Sequence, residues 1–409
     1  MNKYSKVLSL TDLYLFSLGN ILGAGIFVLI SKTTALGGSW TWLAFVIAGL
    51  MTMLSGWSYY YLSKKHLKED GTNNMEYQVV LEKYGKNAAL GVSIMSIVAG
   101  VLIGSTILSG SSDYLGNIVK INPGYIKLII TIMIALLSCC NIRHTRSFSS
   151  ITGTYEFMIL VLIVIMGLFS GIGTGAGTDS TSTGFTDTSK FSGKGIASAT
   201  FLTMFTYLGF EILPKFSKET ENPEETIPKA MIYSIVTSIV IYVLVFFSAY
   251  KILGPQRLSE AKAPIAAVLG KITGNKKVLG AVALLSGIAI TNGVLMTNSS
   301  NSRMLHDLGE RYSIPLIKDI NDDTGTPIGA TLVISILVLL GSMKMDIKTT
   351  AEASNFIYFI ILAIVNYMAY KKLTGSEKGD EDNRDLKRGV SGAGLVTSIM
   401  MITYIITIK

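Results

Sequence analysis

The chain has 409 residues, of which 49% are hydrophobic and only 15% are charged. Soluble domains carry about 25% charged residues, so the composition excludes an ordinary soluble protein and indicates an integral membrane protein with many spans. The net charge of +8 comes from basic residues scattered between apolar segments, which favours the lipid bilayer over nucleic acid as a partner.

Eleven apolar segments follow one another along the chain, each close to the length of about 20 residues that a bilayer-spanning helix needs. They cover residues 12–31, 40–62, 88–109, 124–141, 148–171, 196–216, 229–252, 278–301, 325–342, 350–370 and 389–408. We therefore predict an all-α integral membrane protein with about eleven transmembrane helices.

The distribution of Lys and Arg between the loops predicts the orientation. With the N-terminus in the cytosol, 21 of the 35 basic residues fall on the cytosolic side, including those of the loops at 63–87 and 371–388. Basic residues are enriched in cytosolic loops. The count therefore favours a cytosolic N-terminus and, with eleven spans, a C-terminus on the other side.

The first segment contains an unusual run at 19–28, in which Gly23 and Gly25 flank one small residue. Glycine costs a helix about 1 kcal/mol relative to alanine, and irregular backbone within a membrane is tolerated where it lines a cavity. The run predicts a broken helix whose free N–H and C=O groups face a solute. Close packing of helices through small residues is the alternative.

The sixth segment is interrupted in a similar way, by Gly209, Glu211 and Pro214. The loop at 173–195, rich in Gly, Ser, Thr and Asp, separates the two halves and is typical of a flexible outer connection. Matching interruptions in two halves point to a transporter site within an inverted repeat. We therefore predict an inverted 5+5 repeat with broken helices 1 and 6. The predicted units are a first five-helix repeat at 1–172, a second at 196–372, and a polar cytosolic loop with an additional eleventh helix at 373–409.

Three blocks of the sequence resemble the amino acid–polyamine–organocation (APC) superfamily of permeases. They are the glycine run at 19–28; Tyr-Leu-Gly-Phe-Glu at 207–211 with Glu-Thr-Glu-Asn-Pro at 219–223 and Ile-Pro-Lys-Ala at 227–230; and Ser-Arg-Met-Leu at 302–305 with Ile-Pro at 314–315. The second block is the most specific. The order and spacing of the blocks agree with the family over roughly residues 8–370.

The resemblance implies a secondary transporter of amino acids or related amines, with the substrate held between helices 1 and 6. The implied substrate-binding residues are Ile21, Gly23, Ala24, Gly25, Ile26, Phe205, Leu208 and Gly209. By this analogy the N–H groups of residues 24–26 take the α-carboxylate, and the carbonyls of Ile21, Phe205 and Leu208 take the α-ammonium. Helix-terminal N–H groups do bind anions, and unwound carbonyls suit cations. Phe205 is either an aromatic gate or a packed aromatic of the bundle.

Two intramembrane carboxylates, Glu211 and Glu156, are the proton-coupling candidates, because such groups are costly and form proton relays in transporters. Lys215 is placed beyond Pro214 towards the cytosol, so we expect no cation beside Glu211. Some proton-driven members of the family carry a lysine in the fifth helix, where this chain has Glu156. The coupling ion is therefore H⁺ or Na⁺, and no other cofactor or metal site is predicted.

Polar residues of the eighth segment, Asn292, Asn298 and Ser299, fit either an ion pathway or hydrogen bonds between helices, with the second favoured. No nucleophile–base set or metal cluster indicates an enzyme. Two alternatives to an amino acid transporter stay open: a polyamine or organic-cation carrier, and a non-transporting amino acid sensor on a permease fold. The sensor is motivated by Ala24, where many family members have Ser or Thr, and by eleven helices where members usually have twelve.

Overall fold

The computed structural model describes residues 6–70, 72–169, 192–274, 276–375 and 384–408. These residues form helices joined by turns and loops, and their only β-type pairing is an isolated bridge between Leu8 and Thr220. Most of the predicted outer loop at 173–195, and part of the loop at 371–388, lie outside the described residues. The all-α membrane architecture predicted from the sequence is confirmed.

Thirteen α-helices are described. They are α1 (Leu10–Gly37), α2 (Thr41–Asp70), α3 (Met75–Val119), α4 (Pro123–Cys139), α5 (Ile142–Phe169), α6 (Gly193–Met204), α7 (Pro223–Leu253), α8 (Pro255–Glu260), α9 (Pro264–Thr273), α10 (Lys276–Arg311), α11 (Ile328–Lys344), α12 (Ile347–Gly375) and α13 (Arg384–Ile408). Two stretches of 3-10 helix, Phe205–Tyr207 and Phe210–Glu219, continue α6.

Every predicted span overlaps a helix. Within the described residues, nine helical stretches are long and apolar enough to cross a membrane. The predicted spans at 124–141 and 325–342 correspond to α4 and α11, which have 17 residues each and therefore reach only roughly 25 Å. The total of eleven spans and the inverted repeat of 1–172 and 196–372 remain predictions.

Local sequence signals explain where two helices begin. The Ser9 side chain accepts the N–H of Asp12, and the Asp12 carboxylate accepts the N–H of Ser9, so a capping box starts α1. Pro223 occupies the first turn of α7, where the N–H that proline lacks has no helical partner in any case. Pro228 lies inside α7, in its second turn, where it removes one hydrogen bond of the helix.

Helix α1 lies near the centre of the bundle, where it packs against α5, α6, α7 and α10. The stretch formed by α6 and the two 3-10 segments is the most enclosed: 89% of its most apolar 18 residues are buried inside the protein. For α13 the same fraction is 22%. Helix α13 packs on α12 and α2 at the periphery. The two helices expected to form the site therefore meet in the middle of the protein. The face of the bundle at which α1 begins is called the N-side below.

Candidate functional site

The predicted interruption of the sixth helix is present. After α6 ends at Met204, Phe205–Tyr207 forms one 3-10 turn, and Leu208 is extended, with φ −67° and ψ 135°. Gly209 follows with φ +142°, a backbone conformation that side chains disfavour. The Tyr207 hydroxyl donates to the Phe45 carbonyl of α2 over 2.8 Å and so anchors the break. The stretch 205–209 is thus a fixed irregular segment between two helical pieces.

Glu211 caps the second piece of the broken helix. Its Oε2 accepts the N–H of Gly209 at 2.6 Å, and its own N–H also bonds the carboxylate. The side chain is 2% exposed. Free N–H groups at a helix start form an anion site, and in this structure that site is filled by the protein's own carboxylate.

The interruption predicted in the first helix is wrong for this structure. Helix α1 runs without a break from Leu10 to Gly37, through Gly23 and Gly25. In an uninterrupted α-helix each interior N–H donates to the carbonyl four residues earlier. The N–H groups of Ala24, Gly25 and Ile26 are therefore engaged along the helix, and no anion site opens there in the conformation described.

Gly23 and Gly25 instead admit polar side chains of neighbouring helices. A Cβ at position 25 would overlap the Tyr242 hydroxyl of α7, and one at position 23 would overlap the Glu156 carboxylate of α5. The missing side chains are therefore used for close approach, which agrees with the packing alternative in part. Because the groups that approach are a hydroxyl and a carboxylate, the contacts differ from the usual packing of small apolar residues.

Tyr242 joins α1 to the break in α6, and sequence reasoning did not single it out. Its buried hydroxyl lies 2.6 Å from the Ile21 carbonyl and 2.6 Å from the Thr206 carbonyl. A phenol has one proton, so it donates to only one of these acceptors at a time. Ile21, predicted as a substrate ligand, is therefore already at a polar contact between the two helices.

Gly209 brings the break directly against α1. A Cβ at this position would lie 2.7 Å from Asn20 Nδ2 and 2.9 Å from Ile21 Cγ1. The Phe205 side chain is fully buried, and its carbonyl accepts the N–H of Leu208 at 3.1 Å. The structure thus brings together Ile21, Gly25 and the break at 205–209, as the resemblance implied.

Glu156 lies in a second polar cluster, on the opposite flank of α1. The carboxylate faces Gly23, and both Glu156 Oε2 and Asn292 Nδ2 lie within 3.4 Å of the position that a Gly19 Cβ would take. Both side chains are fully buried. Among the described residues, neither the carboxyl oxygens of Glu156 nor the amide of Asn292 has a hydrogen-bond partner. Asn20, on the same helix as the glycines, is unpartnered in the same way.

The other polar residues of the eighth predicted span serve as contacts between helices. Asn298 Nδ2 and Ser299 Oγ each lie 3.2 Å from the Ser138 hydroxyl of α4, and Ser335 of α11 donates to Asn298 Oδ1. The favoured role of interhelical hydrogen bonding is therefore found for Asn298 and Ser299, whereas Asn292 belongs to the Glu156 cluster.

Lys215 is not beyond the membrane domain as expected. It is 4% exposed, its Nζ donates to Asn301 Oδ1 of α10 at 3.2 Å, and its charge interacts with the carboxylates of Glu76 and Glu211. The expectation that Glu211 has no cation nearby is therefore wrong. The sequence could not show this, because Asn301 and Glu76, which surround Lys215 together with Glu211, lie far from it along the chain.

A buried ion pair lies on the N-side of the bundle, close to the start of α1. Arg303 of α10 and Glu219 form two hydrogen bonds, Nε to Oε2 at 2.5 Å and Nη2 to Oε1 at 2.7 Å. The guanidinium lies 4.8 Å from the centre of the Phe216 ring. The Glu219 carbonyl also accepts the N–H groups of Val7 and Leu8. Two of the blocks that carry the family resemblance therefore meet here.

Comparison with known proteins shows what the chain is similar to. A family model described as "Amino acid permease" matches residues 8–408. Cationic amino acid transporter 1 of Arabidopsis thaliana is 21% identical over 407 aligned positions, which cover 94% of this chain and 66% of the relative. The vacuolar cationic amino acid transporter 8 of the same plant is 23% identical and covers 89% and 62%. The branched-chain amino acid permease BcaP of Bacillus subtilis is 24% identical and covers 57% and 52%. The chain spans about two thirds or less of the length of these relatives.

Proposed function

The chain belongs to the amino acid permease family, and on that basis we propose that it is a secondary active transporter that carries amino acids across a membrane by alternating access. Its relatives include transporters named for cationic and for branched-chain amino acids. The α-amino and α-carboxyl groups are common to both substrate classes. The proposed site therefore recognises these two groups of the substrate and does not depend on the identity of the substrate side chain.

The observation that carries the proposal is the contact between the broken helix at 205–209 and the middle of α1. Unwound carbonyls are acceptors without a full set of helical partners, and they suit an ammonium group. We assign the α-ammonium to the carbonyls of Phe205 and Leu208 in the break, and to that of Ile21 once α1 has opened. The Tyr242 hydroxyl, which already reaches Ile21 and Thr206, orients two of the backbone segments involved.

The α-carboxylate requires a change in α1. Its proposed ligands are the N–H groups of residues 24–26, which are engaged in the continuous helix. Two glycines within three residues make that helix cheaper to open, by about 1 kcal/mol each relative to alanine. We propose that α1 unwinds around Gly23 and Gly25 when substrate binds, and that Phe205 covers the bound molecule. The continuous α1 is then the substrate-free form.

The proposed coupling ion is H⁺, carried by Glu156. Burying a polar group without a partner is costly, and both oxygens of this carboxyl lack one among the described residues. Its position against Gly19 and Gly23 links a change of its charge to the stretch of α1 that must open. Glu211, by contrast, is held by two N–H groups and faces Lys215, so it serves to hold the break in α6. Na⁺ at the same cluster is the competing possibility.

Uptake of radiolabelled amino acids into proteoliposomes tests the proposal. The variant Gly25→Leu places a side chain against Tyr242, and it should abolish uptake. Gly91→Leu is the matched control, because a side chain there meets open space, and it should transport normally. Binding without uptake by the unmodified protein would indicate a sensor. Uptake blocked equally by amines that lack a carboxylate would indicate a polyamine or organic-cation carrier.

The pH dependence of uptake separates the two carboxylates. Glu156→Gln keeps the shape of the side chain but cannot exchange the proton, so uptake should lose its dependence on pH between about pH 5 and 8. Glu211→Gln should retain that dependence while it weakens binding. A flattened profile in Glu211→Gln alone would transfer the coupling role to Glu211. A dependence on Na⁺ and not on pH would contradict proton coupling.

The N-terminus is proposed to lie in the cytosol, on the strength of the charge distribution. Single cysteines introduced at positions 86 and 262, in a background without Cys139 and Cys140, test the orientation with an impermeant thiol reagent. Labelling from outside the cell at position 262 and not at 86 is the expected result. The reverse pattern would invert the topology.

A further inference from the structure

An open pocket of about 590 Å³ lies on the N-side, where α1 and α5 begin. Its polar lining consists of Arg143, Arg146, Ser147 and Ser150 of α5 and Asp12 of α1. The proposed transport cycle does not use it, because the site between α1 and α6 lies in the middle of the bundle. It is called the arginine pocket below.

The arginine pocket carries a net positive charge. Arg146 is held in place, since its Nε lies 2.7 Å from Asp12 Oδ1 and its Nη1 donates to the Val7 carbonyl at 3.3 Å. That pair leaves the Arg146 side chain 43% exposed. Arg143 is exposed, and within the described ranges no carboxylate forms an ion pair with it. Two guanidinium groups and one carboxylate therefore face the same opening.

The donors of the pocket suit a phosphate group. Guanidinium groups present forked N–H donors that match phosphate oxygens. The Ser150 hydroxyl has no partner in the part of the chain that the structure describes, and the Ser147 hydroxyl donates to the Arg143 carbonyl at 3.0 Å. The pocket can thus surround one anionic oxygen cluster with charged and neutral donors.

The same side of α5 continues into an apolar stripe. Ile151 lines the pocket and is 71% exposed, and Met158 and Phe169 are exposed by 62% and 61%. The spacings of seven and eighteen residues bring these side chains to one face of a helix with 3.6 residues per turn. An exposed apolar face along a membrane-spanning helix is covered by lipid. A molecule with a phosphate at one end and an acyl chain at the other fits both features.

We propose that the arginine pocket binds the head group of an anionic phospholipid, whose acyl chain follows the near half of the stripe, past Ile151 towards Met158. Basic pockets between transmembrane helices are known to bind anionic head groups. A free phosphate ion would use the arginines but not the stripe. Because Arg146 also bonds Asp12, which belongs to the capping box of α1, a bound lipid would contact the start of the substrate-binding helix as well as α5.

Titration of the detergent-solubilised full chain with short-chain phosphatidylglycerol, phosphatidylcholine and inorganic phosphate tests the proposal, with the thermal unfolding midpoint as the readout. Phosphatidylglycerol should raise the midpoint at lower concentration than the other two. Arg143→Gln should weaken the apparent affinity for phosphatidylglycerol about fivefold, since a basic residue near such a head group contributes about 1 kcal/mol. Arg143 is exposed, so the variant should fold.

Lys86→Gln is the matched control. Lys86 is exposed, and it lies on the N-side because α3 and α5 both start there. The variant therefore removes one positive charge from the same face as Arg143→Gln does. It should leave the titration unchanged. Equal weakening by Arg143→Gln and Lys86→Gln would reduce the effect to general surface charge and overturn the site. Equal stabilisation by inorganic phosphate and phosphatidylglycerol would overturn a lipid as the ligand.

Discussion

The buried ion pair of Arg303 and Glu219 provides the sharpest test of what holds the N-side of the bundle together. The two side chains are 2% and 1% exposed, and two hydrogen bonds join them. The change Glu219→Gln keeps the shape of the side chain and removes its charge. The guanidinium then stays buried opposite a neutral amide. The amide oxygen accepts one of the two hydrogen bonds, but the NH2 group is a donor and cannot accept the other.

The expected loss of stability follows from the contacts that remain. Removing one partner of a buried ion pair costs about 3–5 kcal/mol. Arg303 keeps its bond to the Ser299 carbonyl at 3.0 Å and its position over the Phe216 ring. Those contacts do not depend on the carboxylate, so we expect a loss near the lower end, about 3 kcal/mol. That corresponds to roughly a hundredfold in the ratio of folded to unfolded protein.

Reversible denaturation by SDS in mixed micelles, followed by tryptophan fluorescence, measures the loss. The matched control is Glu225→Gln, which breaks the ion pair of Glu225 and Lys229 on the surface of α7. The exposures there are 65% and 45%. Exposed pairs contribute about 1 kcal/mol or less. The control should therefore unfold at nearly the same SDS fraction as the unmodified protein. Glu219→Gln should unfold at a clearly lower SDS fraction.

A paired change of both partners completes the test. Glu219→Met combined with Arg303→Met replaces the ion pair by apolar side chains, which in buried sites is often neutral or stabilising. The double variant should recover most of the stability lost in Glu219→Gln. Two results would contradict this role of the ion pair. One is a free energy of unfolding for Glu219→Gln equal to that of the surface control. The other is a double variant that loses as much stability as the two single changes added together.

Three further changes probe the centre of the bundle. Tyr242→Phe removes a hydroxyl placed between two carbonyls, so amino acid affinity should fall about fivefold, for a hydrogen bond of about 1 kcal/mol; unchanged affinity by isothermal titration would remove Tyr242 from the site. Gly23→Ala pushes a methyl group into the Glu156 carboxylate and should abolish uptake, whereas Gly91→Ala should not; equal uptake by both would show that the contact is dispensable. Lys215→Met withdraws the cation beside two buried carboxylates and should lower the free energy of unfolding in SDS by about 3 kcal/mol; an unchanged free energy would show that those carboxylates do not need it.

The sequence predicted the membrane architecture well because a bilayer imposes a length and a composition on every span. The family match confirms the APC resemblance, which rested on motifs whose spacing is visible in the chain. The break in helix 6 was predictable for a related reason. Gly209 and Pro214 each disfavour a regular helix, and they fall within six residues of one another.

The glycines of α1 show where such reasoning stops. A glycine signals either a break or a close approach, and the residues that decide between them lie far along the chain. Gly23 faces Glu156 and Gly25 faces Tyr242, on two other helices. The rotation of those helices, which no local pattern encodes, selects the outcome. The Arg303–Glu219 pair, 84 residues apart, could not be predicted for the same reason, although both residues lie in blocks that carry the family resemblance.

The winding of the stretch Phe210–Glu219 has a mechanical consequence. Runs of 3-10 helix beyond three or four residues are uncommon, and this one has ten residues. At about 2.0 Å per residue it spans roughly 20 Å, whereas an α-helix of the same residues spans roughly 15 Å. One end is fixed against α1 through Gly209, and the other is clamped to α10 through Glu219. Rewound as an α-helix, it would be about 5 Å too short to reach both of these anchor points, so the segment is a spacer whose length is set by its pitch.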